Sequence, residues 1–346
     1  MIRILPVVIL LLSLATPTAA SELTAPEVPR TAVDRMPQNT ESFGDGIREL
    51  IQNCFNLLQS EWNSALKSCT ILLLTAMLLS IITILTEKTQ AIVSVAGAVS
   101  IAGILFQNTN GMISYAAETV WEICEYAKLL CPVLTTALAA QGGIAASAAL
   151  YAGTIAFITL LSTLVSKLIV PMVYFFLAFS VANCALDEEI LKKFTDAFKK
   201  ALTWILKTLL IAFTTYMSVT GVVSGTTDAA TLKAAKVAIS TAVPVVGGIL
   251  SDASESVMVS MGIVKNAVGI YGILAVLAVF AGPFVKVGVQ YLLLKVSSAV
   301  CDLFAKKNIA ALIEDFSTAM GLLLAMVASS CLLVLISTVC FMKGIG

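Results

Sequence analysis

Histidine is absent from this chain of 346 residues. Its absence excludes histidine-containing catalytic triads, HExxH zinc sites and histidine proton relays. Charged residues are scarce as well, at 12% of the chain, and 21 basic side chains balance 21 acidic ones, so no basic surface predicts nucleic-acid binding. The phosphate-binding pattern GxxxxGKS/T does not occur, and we therefore expect no ATP hydrolysis by this chain.

The eight cysteines form no CxxC pair of the kind found in metal and redox sites. Cys124 and Cys131 are seven residues apart, about 10 Å along one helix, which is too far for a disulfide. Most of the others fall in or beside apolar segments, where free cysteine packs as a small hydrophobic residue. Cys54 and Cys69 could pair, and the sequence leaves this open. We expect no catalytic, cofactor-binding or metal-binding residues.

Apolar residues, by contrast, make up 59% of the chain, and the mean hydropathy is +0.98. Soluble domains are nearer half apolar and a quarter charged. Several nearly uncharged segments reach the roughly 17 residues that can cross a bilayer core, which predicts an all-α, polytopic integral membrane helical bundle of about seven or eight spans. The predicted spans are 69–86, 91–106, 144–166, 168–186, 201–223, 267–300 and 318–342, with 127–140 as the eighth candidate.

The first 20 residues have the pattern of a secretory signal. Arg3 provides the positive start, an apolar run follows, and Thr18-Ala19-Ala20 provides a small-residue cleavage site. We predict a cleavable signal peptide over 1–20, while an uncleaved first membrane helix stays an alternative. In either case the residues that follow are expected to be translocated.

The segment predicted to follow the signal, 21–67, divides into an arm and an amphipathic helix. Prolines and scattered charges up to residue 41 indicate an extended, poorly ordered arm. From Ser42 onward, apolar residues recur with the spacing of a helix, which Ser42 or Asp45 can cap. We predict a short exported amphipathic helix that leads directly into the first span. The polytopic membrane domain is then 68–346.

Two charged segments interrupt the membrane domain. Residues 112–126 combine Glu118, Glu122 and Glu125 with aromatic side chains, a pattern typical of the bilayer interface. Residues 187–200 hold four acids and four lysines and are expected to form a solvated amphipathic connector. Seven crossings from an external start would place this connector outside, whereas eight would place it in the cytoplasm, as the positive-inside rule favours.

The block 225–272 differs from its surroundings because it is rich in small residues. Alanines recur there at every fourth position and form one smooth helical face. Proline followed by paired glycines then predicts a helix break. The residues assigned to this packing face and helix break are Ala230, Ala234, Ala238, Ala242, Pro244, Gly247, Gly248, Gly262 and Gly269.

Two interpretations of this block stay open. In the first, small residues simply let neighbouring helices approach closely inside the bundle. In the second, the block is a discontinuous helical pair that lines a polar cavity. Broken helices occur at membrane depth only where protein or water covers the free backbone groups, which is why a cavity would be needed.

Four motifs of the same region carry a resemblance to a known family. They are the run Thr226 to Lys236, the Pro244-Val245-Val246-Gly247-Gly248 break, Ser251-Asp252-Ala253, and Val264-Lys265-Asn266-Ala267-Val268-Gly269. In these motifs, and in the order of signal, exported segment and polytopic domain, the sequence resembles the stage III sporulation protein AE family.

The resemblance implies a role in endospore formation. Members of this family belong to an envelope-spanning, secretion-like complex between the mother cell and the engulfed forespore. It implies a multi-pass subunit in the mother-cell membrane around the forespore that helps sustain late forespore gene expression. Other channel-complex membrane proteins and an associated ATPase would be its partners, with the lipid bilayer as its surroundings and a homo-oligomer as a further option. No catalytic residues and no cofactor are implied. A stand-alone permease for a small solute is the alternative function.

Overall fold

The computed structural model describes the backbone of residues 25–38, 43–85, 90–242, 247–305 and 307–343. Within these ranges it also describes the side chains, except those of residues 83–94, 220–262 and 264. Every regular element in these ranges is helical. A 3₁₀ turn (Arg30–Arg35) precedes the long helices, and a π turn (Val165–Ile169) joins two of them. The long helices are α1 (Phe43–Leu85), α2 (Gln90–Ala140), α3 (Ile144–Leu164), α4 (Val170–Leu186), α5 (Glu189–Ala242), α6 (Gly247–Cys301) and α7 (Lys307–Lys343).

Six helices in the described ranges are long and apolar enough to cross a membrane. Five are formed by α1, α2, α5, α6 and α7, and the sixth, Ile144–Leu186, consists of α3, the π turn and α4 together. These helices are 31 to 46 residues long, more than the roughly 20 residues that cross a hydrocarbon core, and each contains a strongly apolar stretch. The prediction of an all-helical membrane protein is therefore confirmed. The predicted signal peptide at 1–20 lies outside the described residues.

In the described part of the chain, six membrane-length helices replace the predicted seven or eight spans, because neighbouring predicted segments join into single helices. The segments predicted at 91–106 and 127–140 are parts of α2, which continues through the charged residues between them. Pro132 lies inside α2 without ending it, and the Thr136 hydroxyl donates to the Pro132 carbonyl oxygen at 2.9 Å. Pro132 has no N–H to donate to the Lys128 carbonyl four residues earlier, and membrane helices tolerate such an interruption where neighbouring groups cover the backbone.

The spans predicted at 144–166 and 168–186 join in a similar way. The π turn Val165–Ile169 contains Lys167 and connects α3 to α4 without a loop. Pro171, in the first turn of α4, has no backbone N–H, and a π turn changes the local hydrogen-bonding register within a continuous helix. Lys167 therefore lies within one long helical segment.

Two tight turns reverse the chain between helices. Gly142, with φ 96°, follows α2, and glycine adopts this left-handed conformation without the steric cost of a side chain. Asp187, with φ 55°, ends α4 while its backbone N–H donates to the Asn183 carbonyl at 2.8 Å. Each turn leads within a few residues into the next helix, which favours antiparallel packing.

Contacts between α6 and α7 show that they are antiparallel. The Ser298 hydroxyl donates to the Ala310 carbonyl at 2.9 Å, and the Ser317 hydroxyl donates to the Tyr291 carbonyl at 3.1 Å. Residue numbers thus rise along one helix as they fall along the other. Such hydroxyl bonds hold helices together where the lipid supplies no hydrophobic driving force.

Aromatic contacts align α5 antiparallel to the helix before it. Phe157 of α3 lies 5.3 Å from Phe213, and Phe179 of α4 lies 5.4 Å from Phe194, measured between ring centroids. The first pair meets edge to face and the second is stacked, both favourable arrangements for aromatic rings. These contacts fix the inner face of α5 against the helix formed by α3 and α4.

The core of the bundle surrounds α7. This helix contacts every long helix from α2 to α6. Its Phe316 ring meets Phe106 of α2 edge-on at 5.2 Å, and its Ser337 hydroxyl hydrogen-bonds the Thr154 hydroxyl of α3 at 2.5 Å. The apolar side of α7 is thus covered by protein, while polar pairs specify which helices are its neighbours.

The first helix, α1, runs parallel to α6. Lys286 Nζ lies 3.1 Å from Glu61 Oε1, and farther along α1 the Ser80 hydroxyl donates to the carbonyl of Phe304, in the turn directly after α6, at 2.7 Å. Because residue numbers rise together in these two pairs, the helices point the same way. The end of α1 therefore lies at the same end of the bundle as the turn that separates α6 from α7.

The predicted amphipathic segment forms the first part of α1. The helix continues without interruption through the boundary predicted at residue 67. Leu50 and Cys69 are buried, whereas Phe55 and Trp62 are exposed, so two faces are evident. The segment is an integral part of the bundle, and its export stays a prediction.

Candidate functional site

A group of charged and polar side chains lies where residues 25–38, which we call the arm, contact the bundle. The group, which we call the arm site, consists of Thr31, Arg35, Glu61, Tyr115, Glu122 and Lys286. Its helical members come from α1, α2 and α6, three candidate membrane spans. Ionisable residues in such helices are uncommon and often mark functional positions. We therefore take the arm site as the candidate functional site.

The arm is shaped by proline and alanine. Pro29 fixes its own backbone φ angle, and its carbonyl accepts a hydrogen bond of 2.9 Å from the Ala32 N–H at the start of the 3₁₀ turn. Ala32 is completely buried, because its small side chain lets the turn lie directly against the helices. Residues 25–38 are thus packed on the bundle, in contrast to the poorly ordered arm that the prolines predict.

Opposite charges attach the arm to α2. The Thr31 hydroxyl donates to a carboxylate oxygen of Glu122, and the Arg35 guanidinium attracts the same carboxylate. Glu118, one turn earlier on α2, adds a second negative charge near Glu122. The hydrogen bond from Thr31 therefore fixes the arm beside α2, and the attraction between Arg35 and Glu122 adds to it, since charge attraction is stronger in a partly buried site than in water.

Two hydrogen bonds attach the arm to the start of α1. The Asn53 amide donates to the Arg35 carbonyl at 3.4 Å, and the Gln38 backbone N–H donates to Glu49 Oε2 at 3.1 Å. Both bonds cross the junction between the arm and α1. They therefore restrict the direction in which the arm leaves the helix.

Gly282 of α6 makes room for the arm site. A Cβ atom built at Gly282 would lie 2.7 Å from Arg35 Nη1, and it would also overlap the Tyr115 hydroxyl. With the Arg35 guanidinium and the Tyr115 hydroxyl in these positions, only a residue without a side chain leaves space for both groups. Pro283 follows directly, yet both residues lie inside α6. Gly282 is thus a position where arm, α2 and α6 meet.

Lys286 connects the arm site to α1. Its ammonium group forms the ion pair with Glu61 and also lies 5.5 Å from the centroid of the Tyr115 ring. The two charged side chains are 34% and 27% exposed, which is intermediate between a surface pair and a buried one. A cation held by a carboxylate and by a ring face joins α1, α2 and α6.

The chemistry that this arrangement supplies is attachment. Carboxylates, a guanidinium, an ammonium and hydroxyl groups fix a short peptide segment against three helices through charge and hydrogen bonds. Within the described ranges, no group of three or more His, Cys, Asp or Glu residues could hold a metal ion. The site is suited to positioning the arm at a defined place on the bundle.

The packing face and helix break predicted from sequence lie apart from these residues along the chain. Pro244 is outside the described residues, which end at Ala242 in α5 and resume at Gly247 in α6. Ala230, Ala234, Ala238 and Ala242 lie in α5, and Gly247, Gly248 and Gly262 lie in α6. For all seven residues the structure describes a helical backbone but not the surroundings of the side chain. The discontinuous pair and the alanine packing face both stay predictions.

Gly269 is the member of this set whose surroundings are described. It is buried, and a Cβ atom built there would lie 2.5 Å from Cγ and Sδ of Met342. Gly269 therefore permits a close contact between α6 and α7, as small residues commonly do between membrane helices.

Sequence reasoning did not find the arm site. The sequence feature that could have indicated this site is the opposite charge of Arg35 and of the acidic residues Glu118 and Glu122. These residues are far apart in sequence, and helical periodicity alone does not show which distant segment faces them. In the sequence, Lys286 is an isolated charge within the apolar run 267–300.

Comparison with known proteins identifies the wider group. The family model described as stage III sporulation protein AE matches residues 30–344, nearly the whole described chain. The chain belongs to the stage III sporulation protein AE family. The resemblance noted in block 225–272 is thereby confirmed.

The chain is similar to a curated protein, the stage III sporulation protein AE of Bacillus subtilis (strain 168). The two are 27% identical over 189 residues, which is 54% of this chain and 47% of the relative. The match therefore spans about half the length of that relative. No solved structure matches the chain. Family membership implies a role in sporulation, and the six apolar helices identify a membrane protein.

Proposed function

We propose that this protein is a membrane subunit of the channel complex, resembling a secretion system, that connects the mother cell to the forespore. The observation that carries the proposal is the family match over residues 30–344. In this role the chain supports endospore development and late forespore gene expression. It acts by assembly and positioning, without a cofactor and without an enzymatic step of its own.

A group of lysines at one end of the bundle supports an orientation in the membrane. Lys192, Lys193, Lys199 and Lys200 lie near the start of α5, at the end where α4 finishes, and Lys307 begins α7 at that same end. Positive residues near helix ends favour the cytoplasm, so we place this end there. With six alternating helices, the start of α1 and the end of α7 both face away from the cytoplasm. We propose, from the family match, that the membrane is the mother-cell membrane around the forespore.

The orientation separates two sets of partners. The charged start of α5 faces the mother-cell cytoplasm, where the ATPase associated with the complex would be found. The arm enters the bundle from the opposite side and is held beside α2 by Glu122 and beside α6 by Gly282. A fixed arm offers the other membrane proteins of the complex, or another copy of this chain, a defined surface. We propose this positioning as the role of the arm site.

A stand-alone permease for a small solute is the second candidate. The observation in its favour is the presence of Glu122 and Lys286, two ionisable residues, in helices that are candidate membrane spans. Such residues often line substrate pathways. The genomic neighbourhood discriminates between the candidates, because an adjacent secretion-type ATPase gene and genes for ring-forming proteins would favour the complex.

The proposal is tested by an in-frame deletion in the sporulating host. We expect engulfment to be complete but a late forespore-specific reporter to be lost, and a second copy of the gene expressed in the mother cell to restore it. The same copy expressed only in the forespore is the matched control and should fail to restore the reporter. Normal reporter activity in the deletion strain would contradict the proposal.

A further inference from the structure

A basic cavity lies on the outward face of α5, away from the arm site. It has a volume of about 540 Å³, and it is lined by Asp196, Lys199, Lys200, Thr203, Trp204 and Lys207. These residues recur at intervals of three and four along one face of the helix, and all are exposed. Three lysines against one aspartate give the lining a net positive charge.

The opposite face of α5 is fixed to the bundle. Leu202 and Leu206 are buried, and the Phe198 ring stacks on Phe179 of α4 at 5.6 Å between centroids. The cavity therefore lies on a helix held in place by its inner face. Asp315 of α7 attracts Lys199 from within the bundle, so Lys200 and Lys207 are the better candidates for an external anion.

The polarity of this face changes along the helix. Lysines dominate near the start of α5, Trp204 is 67% exposed, and the outward face continues through the exposed apolar residues Ile211 and Val219. Tryptophan is enriched at the level of lipid headgroups, and long lysine side chains reach toward that level from a membrane helix. Charge at one end and apolar surface farther on match the two parts of a phospholipid.

We propose that this cavity binds the headgroup of an anionic phospholipid, with Lys200 and Lys207 contacting the phosphate and Trp204 packing on the glycerol region. The acyl chains then lie along the apolar continuation of α5. An acidic protein segment would satisfy the lysines but would leave the apolar continuation uncovered, so we favour the lipid. Anionic lipids attract basic segments beside a membrane with about a fivefold gain for each lysine.

The test uses the fluorescence of Trp204 in the full chain reconstituted into vesicles. Trp62→Phe and Trp121→Phe leave Trp204 as the single tryptophan, since the chain has three. Brominated phosphatidylglycerol and brominated phosphatidylcholine are then compared as quenchers in vesicles of the same total phosphatidylglycerol content. We expect an apparent preference for the anionic lipid of about fivefold or more, which 1 M salt should reduce because salt screens exposed charges.

Substitutions distinguish a defined lipid-binding site from general attraction of anionic lipid to a positively charged surface. The double substitution Lys200→Gln and Lys207→Gln should abolish the preference, so that the ratio of quenching by the anionic lipid to quenching by phosphatidylcholine falls close to one. Lys192→Gln with Lys193→Gln removes the same charge from exposed positions outside the cavity and should leave most of the preference. Equal quenching by both lipids in the parent protein would overturn the proposal, as would an unchanged preference in the cavity variant. Equal losses in the two variants would show general surface attraction and would also overturn it.

Discussion

Lys286 Nζ lies 3.1 Å from Glu61 Oε1 and 5.5 Å from the centroid of the Tyr115 ring, so one ammonium group joins three helices. The pair is about one-third exposed, and either charge alone would be left partly desolvated beside apolar helices. The same ring carries the hydroxyl that meets Gly282 beside the arm. The helix packing and the arm position are therefore coupled through Tyr115.

Breaking this ion pair should destabilise the bundle. We expect Lys286→Gln to cost roughly 1–3 kcal/mol, between the values for exposed and buried pairs, because the Glu61 carboxylate loses its partner. Thermal unfolding of the purified protein in detergent is the measurement. The charge exchange Glu61→Lys with Lys286→Glu should recover part of the loss.

A surface pair provides the control for that experiment. Lys193 and Glu189 also lie 3.1 Å apart, but their side chains are 72% and 80% exposed. We expect Lys193→Gln to change stability by less than about 0.5 kcal/mol. If Lys286→Gln were as mild as Lys193→Gln, Lys286 would have no special part in joining the helices.

Adding one methyl group at Gly282 should loosen the arm. The Cβ of Gly282→Ala meets both the Arg35 guanidinium and the Tyr115 hydroxyl, so the Arg35 side chain must leave its place beside Tyr115 and loses its contacts there. We expect trypsin to cleave after Arg35 roughly 10-fold faster, as about 1.4 kcal/mol of overpacking would produce. The rate of appearance of the shortened chain measures this effect.

Gly288→Ala is the matched control because nothing lies within 4 Å of a Cβ built there. Both substitutions raise the helix propensity of α6 by the same amount. The difference between the two cleavage rates therefore reports the effect of the new Cβ contact at Gly282 alone. Equal cleavage rates in the two variants would mean that Gly282 does not hold the arm in place.

Part of this architecture could be predicted from the sequence and part could not. Apolar runs predict membrane helices because hydrocarbon demands internal hydrogen bonding, and the structure has such helices. The number of helices could not be counted reliably, because Pro132 and Lys167 resemble interruptions in sequence. Helix α2 nevertheless continues through Pro132, and a π turn keeps the helix continuous at Lys167.

The candidate site depends on tertiary contacts that local patterns do not specify. Prolines in the arm predict disorder when the arm is considered alone, yet burial of Ala32 and attraction between Arg35 and Glu122 hold it on the bundle. The family motifs in block 225–272 were recognisable because they are contiguous in sequence. The arm site is assembled from segments that are far apart.

The proposed orientation predicts which positions a membrane-impermeant thiol reagent can reach. Cys54 and Cys340 are half-buried, and the other six cysteines are buried, so a Cys54→Ser and Cys340→Ser background should react little. In that background, expressed in vegetative cells so that the non-cytoplasmic face meets the medium, we expect Asp45→Cys to be labelled in intact cells and Lys193→Cys only after permeabilisation. Labelling in the reverse order would invert the proposed topology.

The predicted helix break can be tested separately from folding. If the break is functional, replacing Gly247 and Gly248 together with leucine should reduce late forespore reporter activity while protein abundance stays nearly normal. If the glycines serve only packing, the double variant should be degraded. Gly103→Leu is the control, because its added Cβ has no neighbour within 4 Å. Normal abundance with normal reporter activity would exclude a functional break.

The central claim is that this protein works as a subunit of the sporulation channel complex. The most direct test is quantitative mass spectrometry after affinity isolation of the tagged full chain from sporulating cells, compared with an unrelated tagged multi-pass membrane protein. We predict specific enrichment of other sporulation membrane proteins together with the associated ATPase. Recovery of a functional tagged chain without any of these proteins, both with and without prior cross-linking, would contradict the claim.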